Sequence, residues 1–206
     1  MKKNEALELL GELKNNKIDL KIKAKEFKVT IIKNNKLNKG WAGIVIDRLL
    51  GGGDNKQKAD HSWAEIKSFP VKKKRNGVIG AKETMQITMI EKNLENLEED
   101  FYKSHVYEKM NKMIVIARKY GHNFEQDSSG SQYIHDFFQF DLTGSILKKL
   151  ETDYINIINF MKKNKNNKSK RFNGELIQSR TKGQGGTSRK SYGFYALPKF
   201  LNKFLN

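Results

Sequence analysis

Apolar positions recur along this chain at two periods, and the switches between them lay out a mixed order of helices and strands. Leu7, Leu9, Leu10 and Leu13 set a short amphipathic helix near the start. Residues 27–32, FKVTII, read as a strand or strand-like connector, and KNNKLNKG behind them as a polar loop. In WAGIVIDRLLGGG the apolar residues Trp41, Ile44, Val45, Leu49 and Leu50 keep helical spacing, and the glycines at 51–53 stop the helix. Trp63 to Phe69 reads as a strand, KKKRNG as a turn, and TMQITMI as an alternating strand that pairs back in a hairpin or meander. EKNLENLEEDFYKSHVYEKMNK is charged and helix-like, whereas MIVIA (113–117) suits a buried strand and QYIHDFFQFDL (132–142) a further one.

Toward the C-terminus, Ile146, Leu147, Leu150, Tyr154, Ile157, Ile158 and Met161 fall on one face of a long helix. NKNNKSKR after it is basic and holds no core-forming residue. GELIQSRTKGQGGTSRKSYGFYAL then gives a strand, a basic glycine-rich loop at 181–193 and a second short strand. PKFLNKFLN closes as a small helix with proline in its first turn. There is no internal repeat, and the interleaving of the two periods predicts an α/β class.

Composition narrows the picture. A chain of 206 residues fits one domain, or one domain in two lobes, and 37% hydrophobic residues are enough for a core. No run reaches the eighteen apolar residues of a membrane span, and MKKNEALELLGEL has acidic residues where a signal peptide is apolar. The expectation is a soluble, cytoplasmic protein. The absence of cysteine excludes disulfides, thiolate zinc sites and a cysteine nucleophile. Forty Lys and Arg against 23 Asp and Glu leave +17, a balance that suits a polyanion, nucleic acid or an acidic membrane surface. A Lys- and Asn-rich composition also follows from an AT-rich genome.

The candidate chemistry lies in KADHSWAEIKSFPV. On a strand, Glu65 and Lys67 share one face while Ala64, Ile66 and Ser68 take the other. Asp60 and Glu65 together offer hard oxygen ligands for magnesium, and Lys67 beside them can activate water or hold charge on a phosphoryl oxygen. An aspartate followed by Glu-x-Lys is the pattern of metal-dependent nucleases, and a solvated surface ion pair is the plain alternative. His61 follows Asp60 as a polar flank, His105 serves hydrogen bonding or DNA contact, and His122 and His135 have no partners at metal spacing. Gly51 to Gly53 are not a phosphate loop, because no Gly-Lys-Ser/Thr follows.

The flanks carry a resemblance. NKGWAGIVIDRLLGG, the Asp60 segment, AEIKSFPV, SHVYEKMNKMIVIA, ELIQSRTKG and GFYALPKFLNKFL resemble, in that order from about Lys39 to Leu205, the MutH family of DNA endonucleases. That family includes the mismatch-repair nicking enzyme and related type II restriction enzymes of the PD-(D/E)xK superfamily. The resemblance implies a restriction-endonuclease-like mixed sheet flanked by helices, with two lobes around a DNA-binding cleft. It implies one domain over residues 1–206, with a catalytic core at 39–120 and a DNA-reading loop and C-terminal helix at 170–206.

Position by position, the resemblance makes Asp60 and Glu65 ligands of Mg2+, Lys67 the catalytic lysine, and Asp47 the helix carboxylate supporting the site. It makes Lys109 the lysine reaching the active-site region, and Arg180, Lys182 and Tyr195 the DNA contacts. Three departures stand out: only four residues separate Asp60 from Glu65, Asp47 replaces a glutamate, and SRTKG lacks a proline. The implied activity is cleavage of double-stranded DNA to 5′-phosphate and 3′-hydroxyl, with GATC the first site to try. The setting is a type II restriction enzyme with a cognate methyltransferase in the same system, or a mismatch-repair nickase answering to a partner ATPase. A double-strand break needs a homodimer or two sequential nicks. A basic DNA-binding protein without catalysis is the reading from another class.

Overall fold

The computed structural model describes residues 1–33, 36–38, 40–52, 61–90, 98–124, 130–164, 171–182 and 191–205. The chain divides into two compact units, one of Met1–Lys82 with Met113–Gln139, the other of Glu83–Lys112 with Phe140–Asn206. The class is mixed α/β, with a mixed four-stranded sheet, an antiparallel four-stranded sheet and packed helices, consistent with a restriction-endonuclease-like fold.

In the first unit, α1 (Lys3–Asn15), α2 (Leu20–Glu26) and α3 (Trp41–Leu49) precede the sheet, with a two-stranded ribbon of β1 (Ile32–Lys33) and β2 (Lys36–Leu37) between α2 and α3. The sheet runs in the order β4 (Ile79–Ala81), β3 (Glu65–Lys73), β6 (Lys112–Tyr120), β7 (Gln132–Asp141). β3 lies parallel to β6 with Glu65 level with Met113, and antiparallel to β4 with Val71 level with Ala81. Leu10, Leu20, Trp41, Val45, Ile46 and Leu50 from the helices close with Ala64, Ile66, Ile114, Ile116 and Ile134 into one core. Each such side chain contributes about 1.5–3 kcal/mol on burial, and Ile66→Ala would cost about 2–5 kcal/mol through lost packing and the cavity left. The apolar run of β6 is buried at both alternating sets of positions, from Met113 to Ala117, as a central parallel strand requires.

β3 continues through Pro70, beyond the end expected at Phe69. The Pro70 carbonyl accepts from Lys82 N at 2.8 Å, just past the last residue of β4. The missing proline donor therefore faces the short edge strand β4 at the end of its ladder, and the parallel ladder to β6 is unaffected. Across the strands Arg118, only 6% exposed, donates to Ser68 Oγ at 3.0 Å and to Gln132 Oε1.

In the second unit, β5 (Met85–Ile90), β10 (Ser191–Ala196), β9 (Ile177–Lys182) and β8 (Phe172–Asn173) form the antiparallel sheet in that order. TMQITMI is thus a strand, as its alternation predicts, but its partner is β10 rather than the Glu65 strand; the short β4 makes that hairpin instead. α5 (Gly144–Lys163) packs against the sheet through Leu150, Tyr154, Ile157 and Ile158, and α6 (Pro198–Leu201) follows β10. In the described part of the segment expected to be helix-like there is a 3₁₀ turn at Phe101–Lys103 and the short α4 (His105–Met110); residues 91–97 lie outside those described. FKVTII is strand only at Ile32, because the hydrogen-bonded end of α2 occupies its first residues: Phe27 and Val29 donate to Lys23 and Ala24 carbonyls.

Asp153 fixes the start of β9. Its carboxylate, on a residue 5% exposed, accepts from Glu175 N at 2.7 Å, Leu176 N at 2.6 Å and Ile177 N at 3.0 Å. Gly174 is required there, because a Cβ at that position would overlap the carboxylate.

Candidate active site

β3 begins with Glu65, whose side chain is 1% exposed and paired with Lys67 two residues on, itself 22% exposed. The alternation expected of the strand holds: Ala64 and Ile66 enter the helix-covered core, and the two charged side chains meet on the opposite face. A carboxylate this far from water is costly unless a cation compensates it, and Lys67 supplies that charge.

Asp47 lies in the last turns of α3. Gly43, one turn earlier, approaches β3 so closely that a Cβ would stand 3.6 Å from Ser68 Oγ. At the other end of the helix, Gly51 packs against Met1, and the Met1 carbonyl accepts from Trp63 Nε1 at 3.1 Å. α3 therefore runs opposite to β3, and Asp47 lies midway along the helix between these two contacts. Gly51 at φ +83° takes the left-handed turn that ends the helix. Gly52 N donates to the Asp47 carbonyl at 2.8 Å, and a side chain at Gly52 would collide with the Asp47 carboxylate.

Asp60 lies outside the described residues, which resume at His61. His61 is 9% exposed and stacks on Trp63 with ring centroids 4.6 Å apart. Among the described residues no group of three His, Cys, Asp or Glu side chains gathers into a metal cage. What Glu65 and Asp47 offer are carboxylate oxygens, the donor type that magnesium prefers, and the buried position of Glu65 suits a ligand shielded from water.

Lys109 belongs to the second unit, half-buried in the last turn of α4, where its charge also favours the helix C-terminus. His105 opens that helix and bonds Glu108 Oε2 through Nδ1 at 3.0 Å, which fits its hydrogen-bonding role. His122 and His135 stand against Tyr133 and Phe124.

Arg180 and Tyr195 come together across β9 and β10. The guanidinium carbon stands 4.2 Å from the centroid of the Tyr195 ring, and Tyr195 is only 4% exposed. Arg180 is level with Gly193 in the ladder. A Cβ on that glycine would come within 3.1 Å of both Tyr195 Cε2 and the Thr88 carbonyl. Gly193 is thus a residue of this site that pattern reasoning passed over, and the signal for it was a lone glycine within an otherwise aromatic strand. Lys182 ends β9 opposite Ser191, and the loop from 183 to 190 lies outside the described residues.

No described helix is long and apolar enough to cross a membrane. Residues 52–153 match the family model described as DNA mismatch repair enzyme MutH. The matched stretch takes in Asp60, Glu65, Lys67 and Lys109, starts five residues after Asp47 and ends before Arg180 and Tyr195. No curated protein gives a significant match to the chain.

Proposed function

The chain belongs to the MutH family of endonucleases, and we propose that it is a magnesium-dependent, sequence-specific endonuclease of double-stranded DNA acting as a type II restriction enzyme. Membership makes it a DNA-binding nuclease of the MutH and restriction-endonuclease type. The observation that carries the finer reading is the buried Glu65–Lys67 pair at the start of β3.

In this reading Asp60 and Glu65 would hold the ion, and Asp47 supports them from α3. Bound there, magnesium would lower the pKa of a water and neutralise charge on the phosphate. Lys67 places its ammonium beside the carboxylate, where it holds the attacking water and stabilises charge growing on a phosphoryl oxygen. Water attacks phosphorus in line and gives up a proton to solvent, the bond to the 3′ oxygen breaks, and the departing oxygen takes a proton from solvent, leaving a 5′-phosphate and a 3′-hydroxyl. For Lys109 the family resemblance is the support: it matches the lysine that the family uses in its active-site region. Arg180 and Lys182 suit bidentate contact with guanine edges, and Tyr195 holds Arg180 in place.

The family description, that of a mismatch repair enzyme, favours a second setting in mismatch repair, in which this chain would act as a nicking enzyme answering to a partner ATPase. The tighter Asp60–Glu65 spacing and the altered SRTKG loop favour restriction, with a cognate methyltransferase and either a homodimer or two successive nicks. Incubation of the protein with unmethylated plasmid and magnesium, beside an EDTA control, tests this. Linear fragments with one recurring end, GATC first among the candidates, support the restriction reading. Open circles alone overturn it in favour of the nickase, and firm binding without cleavage overturns both.

A further inference from the structure

At the tip of the β3–β4 hairpin Lys72, Lys73, Lys74 and Arg75 stand in a row, all exposed. The tip is an ordered turn. Lys74 N donates to the Val78 carbonyl at 2.8 Å and Gly77 N to the Lys74 carbonyl at 2.9 Å. Val78 N donates to Asn76 Oδ1 at 3.2 Å, and Gly77 at φ +80° supplies the left-handed residue the turn needs. Among the described residues none of the four cations makes an ion pair. Four like charges on a fixed turn repel one another and add nothing to the fold, so their arrangement calls for an anionic partner.

More positive charge collects at this end of the sheet. Lys82, just after β4, holds its ammonium 4.4 Å from the Tyr120 ring centroid. Lys119, level with Val71, stands 5.3 Å from that of Phe124. Burial, and then the charge of Lys17, holds Lys119 below the usual lysine range. The described carboxylate adjoining this stretch of sequence is Glu83, an exposed residue next to Lys82.

Distance gives the row a specific meaning. Alternation puts Lys73 on the same side of β3 as Glu65 and Lys67, and Lys72 on the other. At about 3.3 Å per residue the strand carries Lys73 about 26 Å from Glu65, roughly the length of eight base pairs.

We propose that the β3–β4 tip is a second phosphate-binding element, which grips the backbone of duplex DNA about eight base pairs from the cleaved bond. It rests on the reading of Glu65 and Lys67 as the cleavage site. Its contacts position the duplex without reading sequence, and each phosphate neutralised releases counterions.

The test compares the full chain with the variant K72Q/K73Q/K74Q/R75Q by DNA binding in EDTA, on duplexes of about 30 and about 10 base pairs centred on one site. A second variant, K2Q/K3Q/K25Q/K28Q, removes the same charge from exposed positions on and beside α1 and α2. The hairpin variant is expected to bind the long duplex at least tenfold more weakly, with a salt slope shallower by about three. Both should bind the short duplex alike, and the second variant should stay near wild type on both. Equal losses in the two variants, or equal losses on both lengths, would overturn the proposal. Loss of binding to phosphatidylserine vesicles with DNA binding intact would overturn it too, and would name a membrane surface as the partner. Failure of the unaltered protein to bind any duplex would instead overturn the nuclease reading on which it rests.

Discussion

Arg180 stands over the ring of Tyr195, its guanidinium carbon 4.2 Å from the centroid, with Gly193 leaving the space that lets the two meet. A guanidinium held on an aromatic face has its rotamer already chosen, so, if Arg180 contacts a base as proposed, less entropy is lost on binding. Such a contact contributes about 0.5–2 kcal/mol. Tyr195→Leu is therefore expected to weaken binding to the recognised site several-fold more than binding to unrelated DNA, whereas Tyr195→Phe should keep wild-type discrimination. Competition binding with cognate and scrambled duplexes measures this. An equal effect of both substitutions on all DNA would remove the positioning role. Gly193→Ala is expected to cost about 1–3 kcal/mol of stability through the close approach to Thr88 and Tyr195.

Glu65 and Lys67 can be separated by a double-mutant cycle. Glu65→Gln should abolish cleavage and leave DNA binding within a few-fold of wild type. Lys67→Met strands a buried carboxylate and should lower stability by roughly 2–3 kcal/mol, less than for a fully enclosed pair because the lysine is 22% exposed. The double variant should recover most of that loss in chemical denaturation while remaining inactive. Additive losses would show that the two side chains do not compensate each other.

Asp153 is expected to matter to folding and not to chemistry. Its three backbone hydrogen bonds hold the turn that leads into β9. Asp153→Asn keeps the shape but loses the charge and one acceptor, and should destabilise by about 3 kcal/mol. The expected result is a lower denaturation midpoint with unchanged cleavage per folded molecule. A stable variant that cuts at altered sequences would contradict it.

Tyr154 sets an alkaline limit. Burial pushes its hydroxyl up to about 12, and that hydroxyl donates to the Glu98 carbonyl at 2.5 Å. Its pKa in the folded state exceeds the unfolded value near 10. The stability this group contributes is therefore complete below about pH 10 and is lost as pH rises through about 12. Denaturation midpoints between pH 9 and 12 should fall steeply for the unaltered protein and less steeply for Tyr154→Phe, and parallel curves would refute the assignment.

Period and punctuation made α1, α3, the Glu65 strand, β6, β7 and α5 legible before any coordinates, because each has a long apolar face against one partner. Partnership between strands was harder to read. β5 alternates as a hairpin strand would, yet it pairs with β10 about a hundred residues on, and no local pattern encodes so distant a neighbour. α2 was hidden because LKIKAKE puts only Leu20 and Ala24 in the core, too few for a periodic signal. At the site, strand alternation was enough to bring Glu65 and Lys67 to one face. It could not show that Glu65 is buried, since burial comes from the packing of other elements. The stacking of Arg180 on Tyr195 depends on ladder register, which residue types alone did not fix.

The anchoring of β9 by Asp153 has an evolutionary consequence. Register in that strand is set from its first residues by α5 and along its length by β10, upstream of the loop at 183–190. The sequence between Lys182 and Ser191 can then change while the ladder keeps Arg180 in its station. If that stretch reads DNA, as proposed for its flank at Arg180 and Lys182, a scaffold built this way lets new target sequences be tried by changing one cassette.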